Sequence, residues 1–263
     1  MPGKVAVLVG NCDGFVGNRM LRWYSDEAAF LMEDGASPRQ IDAAARAFGM
    51  AIGPLEMADV AGNDISWLIR KERGQLDPLK RDPAQRYSAL GDRLCEKGRM
   101  GQKTGKGWYR YEAGIRTPKD DPEVAALIDE CRLERQQLLA ERQQRQGNGA
   151  APEAGAVGPR QISEEEIVHR LFYPLINEGF RREGIAERPS DIDVVWAHGY
   201  SWPRWRGGPM FWADEMTPAL LRRELERYGA ANPDVAHWQP APLLRRLADS
   251  EETLAGYYAR REV

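Results

Sequence analysis

Apolar residues recur at helical spacing along most of this chain, and glycine or proline marks nearly every boundary. From Asn18 to Glu33, Leu21, Tyr24, Ala28 and Leu31 fall on one face, and Gly35 ends the segment. Ser37-Pro38-Arg39-Gln40 has the form of a capping box with proline at the first helical position, and that helix runs to Gly49. Pro54 starts another, which stops near Gly62. Asp64 is placed to cap one running toward Arg73, and Ala89 to Lys97 is a short helix stopped by Gly98. Pro122 to about Gln146 is long, charged and glutamine-rich. Ser163-Glu164-Glu165-Glu166 caps a second long helix running to about Glu183, before Gly184. Thr217-Pro218 opens a further helix stopped by Gly229, and from Pro242 the chain reads as helix almost to its end. The exception is residues 4–9, Lys-Val-Ala-Val-Leu-Val, which read as a buried strand. A lone strand is not stable, so this run is expected either to pack as extended chain or to close a sheet encoded upstream.

The helices repeat. With Asn18-Arg19 set on His169-Arg170, Glu27 falls on Glu178, Pro38 on Pro189 and Ile41-Asp42 on Ile192-Asp193. After a short insertion, Gly53-Pro54 falls on Gly208-Pro209 and Ala58-Asp59 on Ala213-Asp214. A long helix, a turn, a short capped helix and a Gly-Pro restart thus form one helical unit, used twice. Two such units can bury their amphipathic faces against each other about a pseudo-twofold axis. Residues 147–159, rich in Gly, Ala and Pro, read as a flexible linker. The expected organisation is a strand segment at 1–12, a first unit at 13–120, a helix and linker at 121–162, and a second unit at 163–263.

Composition adds little but exclusions. The 263 residues suit one large domain or two smaller ones. A net charge of -3 gives no reason to expect nucleic acid or an anionic membrane as partner. No apolar run approaches the roughly 18 residues of a membrane span. The N-terminal segment is too short for a signal peptide. Cys12, Cys95 and Cys131 are few and far apart, which suits a reducing compartment, and His169, His198 and His237 have no metal-ligand spacing. The terminal Arg261-Glu262-Val263 does not look like a peroxisomal address, so a cytoplasmic location is expected.

Three motifs carry chemistry: Cys12-Asp13-Gly14-Phe15-Val16-Gly17-Asn18-Arg19-Met20-Leu21, Gly53-Pro54-Leu55-Glu56-Met57-Ala58-Asp59, and Gly98-Arg99-Met100-Gly101-Gln102-Lys103-Thr104-Gly105-Lys106-Gly107-Trp108-Tyr109. Together they closely resemble the C-terminal helical region of 3-hydroxyacyl-CoA dehydrogenases, most of all the multifunctional β-oxidation enzymes of the peroxisomal bifunctional type. The resemblance spans nearly the whole chain except residues about 133–160. It implies an all-α fold of two tandem related helical domains, of the kind at the C-terminus of 6-phosphogluconate dehydrogenase, with an orphan N-terminal strand. It further implies a parent enzyme that oxidises L-3-hydroxyacyl-CoA to 3-ketoacyl-CoA with NAD. The glycine-rich dinucleotide fingerprint is nowhere in these residues. The family's His–Glu dyad also lies in the cofactor domain. The chain is therefore expected to bind no NAD alone and to be inactive alone. Its expected partners are the acyl-CoA substrate and a nucleotide-binding domain, fused upstream or bound in trans, with an enoyl-CoA hydratase region further upstream in multifunctional relatives. The strand at 4–9 would then be the last of that domain's sheet. Because many single-repeat relatives form homodimers through their helical region, the second copy would replace the dimer partner.

By the same resemblance Asn18 is the catalytic candidate. It would hydrogen-bond the substrate's reacting oxygen or the catalytic histidine, and a neutral amide can do so without titrating. From position alone it suits a helix cap equally. Repeat 2 has His169 in its place, which suggests a structural role for that copy. Gly14 and Gly17 suit either a close approach to ligand or a turn. Glu56 and Asp59 complement a helix dipole. Lys103 and Lys106 are candidate contacts for the CoA phosphates, against the alternative that their loop only docks Trp108 and Tyr109. The loop is not a P-loop, because Gly107 follows Lys106 where Ser or Thr is required. Glu27 and Glu178, present in both copies, read as structural partners of arginines. Trp196, Trp202, Trp205 and Trp212 read as packing rather than as a binding wall. A second functional reading stands beside the enzyme part: a non-catalytic helical module for assembly or acyl-CoA binding.

Overall fold

The computed structural model describes residues 3, 5–145, 160–181 and 186–260, without the side chains of 142–145. These residues are mostly helical. The helices are α1 (Gly17–Asp34), α2 (Pro38–Phe48), α3 (Pro54–Ala61), α4 (Asn63–Glu72), α5 (Leu90–Glu96), α6 (Pro122–Arg145), α7 (Glu164–Phe180), α8 (Pro189–Gly199), α9 (Pro209–Met216), α10 (Pro218–Ala231), α11 (Pro242–Asp249) and α12 (Leu254–Ala259). Local sequence explains most of the boundaries. The capping box at Ser37 forms in both directions, and Gly49 ends α2 at φ +118°. Ser163 caps α7 through Glu166 N–H, and Thr217 caps α10 through Leu220 N–H.

The long helices α1 and α7 form the central pair, and α2 also packs on α7. Met20, Tyr24, Ala28 and Leu31 of α1 meet Leu171, Phe172, Leu175 and Ile176 of α7 in a single core that runs through both halves of the chain. Phe48 stacks on Phe172 at 4.1 Å and meets Trp202 edge-on, so the aromatic residues of the second half close over α2. Trp196 and Trp202 are buried there as packing residues, whereas Trp205 is exposed under the Arg206 guanidinium.

Positions that the sequence sets in register make matching contacts. Asp42 accepts from Leu55 N–H at 2.9 Å and Glu56 N–H at 3.1 Å; Asp193 accepts from Met210 N–H at 2.7 Å and Phe211 N–H at 3.2 Å. Asp59 accepts from Trp108 and Tyr109 N–H, and Asp214 from Leu254 and Ala255 N–H. Arg19 pairs with Glu178 at 2.6 Å, and Arg170 pairs with Glu27 at 2.7 Å.

Several expectations need correction. Residues 5–8 form no strand; Val5 and Leu8 are exposed, and only Val9 makes an isolated bridge, to Ala186. An apolar run becomes a strand only where a ladder partner satisfies its backbone, and one bridge is not a ladder. Asp64 does not cap α4, whose N-cap is Gly62; it lies in the first turn and pairs with Lys103. Gly229 does not stop α10, which runs on to Ala231. The terminal helix is broken between Asp249 and Leu254, where Glu251 takes φ +52°. The helix expected to reach Glu183 ends at Phe180. The linker at 147–159 lies outside the described residues. No helix among the described residues is long and apolar enough to cross a membrane.

Candidate active site

Asn18 sits in the first turn of α1 with its side chain exposed. It does not cap the helix: the N-cap is Val16, and no side chain bonds the free amides there. Instead its Oδ1 accepts a hydrogen bond of 2.6 Å from the Tyr200 hydroxyl, at the C-terminal end of α8. The chain enters α1 through an unusual turn. Gly14 has φ +73° and Phe15 has φ +47°, which a residue with a side chain rarely adopts. The turn leaves the Phe15 ring exposed. Gly17 answers the question of close approach, though the partner is a protein ring: a Cβ there would lie 2.2 Å from Tyr200 Cε2. Burial pushes the Tyr200 phenol above its ordinary pKa, so it is a donor at neutral pH.

Helix α4 joins the entry of α1 to the Gly98–Tyr109 loop. Its C-terminal end ties to the α1 entry, where Arg73 binds both carboxylate oxygens of Asp13 at 2.8 and 3.0 Å. Its N-terminal end holds Lys103, whose ammonium meets Asp64 at 2.5 Å and keeps that carboxyl below the usual range. Asp64 and Arg73 are separated by about 14 Å of helix. Along that length Ile65, Leu68 and Ile69 are exposed at helical spacing, and no residue of α4 is buried. Asp13, in the turn that enters α1, and Lys103 thus lie at opposite ends of an exposed apolar helix face.

The Gly98–Tyr109 loop is held from beneath by Asp59. This buried carboxylate accepts from Trp108 N–H, Tyr109 N–H, the Asn63 amide at 2.8 Å and the Tyr111 hydroxyl at 3.0 Å. Burial still pushes its pKa up. Asp59 is therefore the loop's anchor rather than a helix-dipole residue. Glu56 lies in the first turn of α3, as a dipole role requires, and also pairs with Arg46. Gly107 is required by space, since a Cβ would lie 1.9 Å from Asp59 Oδ1. Trp108 and Tyr109 are buried, while Lys103 and Lys106 point to the exposed side.

A histidine–carboxylate pair does occur, but away from this face. His237 Nε2 lies 2.6 Å from Glu27 Oε1, sealed among Trp23, Phe30 and Trp238. Glu27 Oε2 accepts from Arg170, which reaches on to Asp34 at 2.7 Å. Burial opposes ionisation of Glu27, but Arg170 and His237 outweigh it and hold the carboxyl below its usual range. Both members are buried, so the pair ties α1 to the second half of the chain. Among the described residues, no three His, Cys, Asp or Glu side chains are grouped to hold a metal ion.

The arginine partners expected for Glu27 and Glu178 are Arg170 and Arg19, themselves matched in the repeat. The sequence missed Tyr200 and His237 as partners; Tyr200 left a trace, since in the register of the repeat it replaces Gly49, the glycine that ends α2.

Residues 14–111 match the family described as 3-hydroxyacyl-CoA dehydrogenase, C-terminal domain. Over 255 residues the chain is 43% identical to the peroxisomal bifunctional enzyme of Cavia porcellus, covering 93% of this chain and 32% of that protein. The chain belongs to the C-terminal region of the 3-hydroxyacyl-CoA dehydrogenases. The glyoxysomal fatty acid beta-oxidation multifunctional protein MFP-a of Brassica napus is 33% identical over 231 residues, 87% of this chain and 29% of that protein. The crystal structure of the dehydrogenase part of multifunctional enzyme 1 from C. elegans superposes with a TM-score of 0.66 at 27% identity, covering 92% of this chain and 50% of that one. The chain spans about a third of the length of these curated relatives. They are named for peroxisomes and glyoxysomes, not for the cytoplasm that composition suggested.

Proposed function

We propose that this chain is the substrate-side and dimerisation-like part of an NAD-dependent L-3-hydroxyacyl-CoA dehydrogenase of fatty-acid β-oxidation. It would work with a nucleotide-binding domain, fused upstream or bound in trans, that holds NAD and the His–Glu dyad. The carrying observation is Asn18: exposed, released from capping, and at the start of α1, whose entry turn is tied through Asp13 to the C-terminal end of α4. Oxidation of a 3-hydroxyacyl thioester turns the C3 hydroxyl into a carbonyl as hydride leaves carbon and the proton leaves oxygen. A fixed amide N–H aimed at that oxygen stabilises it through the change. Ile65, Leu68 and Ile69 would line the path of the acyl-pantetheine, and Lys103 and Lys106 would meet the CoA phosphates. The described residues contain no strand-turn-helix with a dinucleotide fingerprint and do not suit NAD.

The two halves act as copies of one unit paired about a pseudo-twofold axis. Supporting this, Arg19 reaches Glu178 while Arg170 reaches Glu27, the reciprocity expected of an isologous pair.

The test is NAD reduction with 3-hydroxybutyryl-CoA, by this chain alone and after addition of a separately expressed nucleotide-binding domain. Silence alone with activity on mixing, lowered by Asn18→Ala, supports the reading. Activity from the chain alone refutes it. Silence in both, with both pieces folded, puts the non-catalytic assembly or acyl-CoA-binding module ahead.

A further inference from the structure

We infer that Tyr200 is a positioning residue for Asn18: its hydroxyl pins the carboxamide oxygen and so fixes the amide N–H₂ as the group presented to substrate. The inference rests on the catalytic reading of Asn18 above. A free asparagine amide at a helix start offers oxygen or nitrogen to the cleft with little preference, and only the nitrogen donates. A phenol held against Oδ1 removes that ambiguity, because a hydroxyl that donates to the oxygen leaves the nitrogen facing away.

Tyr200 is itself held from several sides. Its backbone N–H donates to Trp196 O at 3.1 Å, and its ring lies 4.8 Å from the Trp196 ring. Trp196 is wholly buried, and its Nε1–H donates to Met20 Sδ at 3.3 Å, two residues along α1 from Asn18. Ser201 follows at φ +61°, a left-handed conformation that strains a residue with a side chain. Trp202 N–H also returns to Trp196 O, which closes that turn. On the other side, Gly17 leaves room for the ring where any Cβ would clash. A strained turn, a buried anchor and a glycine platform therefore converge on one exposed hydrogen bond, 182 residues apart in sequence. Locked rotamers and supporting contacts of this kind hold a functional side chain in one geometry. The corresponding place in the first half is Gly49, so the second half contributes this group to the first half's asparagine and receives no equivalent in return.

The test uses this full chain with a nucleotide-binding domain of the family, comparing wild type, Asn18→Ala, Tyr200→Phe and the double variant. Tyr200→Phe keeps the ring over Gly17 and removes only the hydroxyl. The expected result is kcat lower by about five- to tenfold, the range of one neutral hydrogen bond, with KM and melting temperature unchanged. In the Asn18→Ala background Tyr200→Phe should cost nothing further, because a residue acting only through Asn18 has nothing left to position. Wild-type kcat in Tyr200→Phe, or losses that multiply in the double variant, overturn the inference while leaving Asn18 catalytic. Full activity in Asn18→Ala, or an inactive wild-type pair, overturns the catalytic reading, and this inference with it. The contact has its own readout on the chain alone: Tyr200→Phe should move the Asn18 side-chain amide resonances, and unchanged resonances refute the hydrogen bond.

Discussion

Arg170→Met removes the cation at the centre of the buried network between the two halves. Arg170 is 1% exposed and Glu27 is 0% exposed, with 2.7 Å between their charged atoms, and Arg170 also binds Asp34. Breaking a buried pair by deleting one partner costs about 3–5 kcal/mol, because the other charge is left desolvated. Two features hold the expected cost near the lower end. Glu27 keeps His237 at 2.6 Å, and Asp34 keeps Arg86 at 2.8 Å. The expected loss is about 3 kcal/mol, or about 6–12 °C in melting temperature for a chain of this size. Calorimetry or thermal circular dichroism at neutral pH measures it. Adding Glu27→Gln removes the stranded charge, so the double variant should be more stable than Arg170→Met alone. The corresponding Arg19→Met should cost less than Arg170→Met, since the Arg19 side chain is 41% exposed and the buried Glu178 keeps Arg181 at 3.8 Å. A loss below about 1 kcal/mol for Arg170→Met, or a double variant with summed losses, would falsify the argument.

Asp59→Asn should destabilise the chain by about 2–3 kcal/mol, since it turns a carboxylate oxygen facing several donors into another donor. Hydrogen exchange should then speed up at Trp108 and Tyr109, and unchanged protection there would mean the loop is anchored elsewhere. Asp193 tests pH linkage. Burial outweighs its two backbone donors and pushes its pKa up to about 6. A raised carboxyl favours the fold when protonated, so its contribution is fully present below about pH 4 and lost as pH rises through 6. Wild type should therefore gain stability relative to Asp193→Asn as pH falls from 7 to 4; a flat difference, or one of opposite sign, would count against burial as the cause. Glu27 and Asp34, both held low, act the other way: their stabilisation is present above the ordinary carboxylate range and lost as pH falls below it. Lys103→Ala with Lys106→Ala should raise KM severalfold for acyl-CoA but not for the acyl-pantetheine lacking the nucleotide. Equal effects on both substrates would remove the two lysines from the phosphate site.

The sequence by itself determined what is local. Ser37-Pro38, Gly53-Pro54, Ser163 and Thr217-Pro218 each mark a helix start, because capping is decided by a few adjacent atoms. The repeat and the dehydrogenase motifs were also legible, since they are order in the chain itself. The misreadings came where local signals met tertiary demands. Residues 4–9 have strand composition, but the described residues 5–9 form no ladder. Asp64 looks like a cap but is taken by Lys103, and Gly229 is carried inside α10.

The pairing of distant polar groups was decided only in three dimensions. Glu27 meets His237 across 210 residues, Asp59 meets Trp108 across 49, and Asn18 meets Tyr200 across 182. Such contacts have no period, and a buried charge settles on whichever partner the packing brings to it. The sequence therefore marked Asn18 as the group to examine, and only the packing of α8 against the start of α1 revealed what holds it.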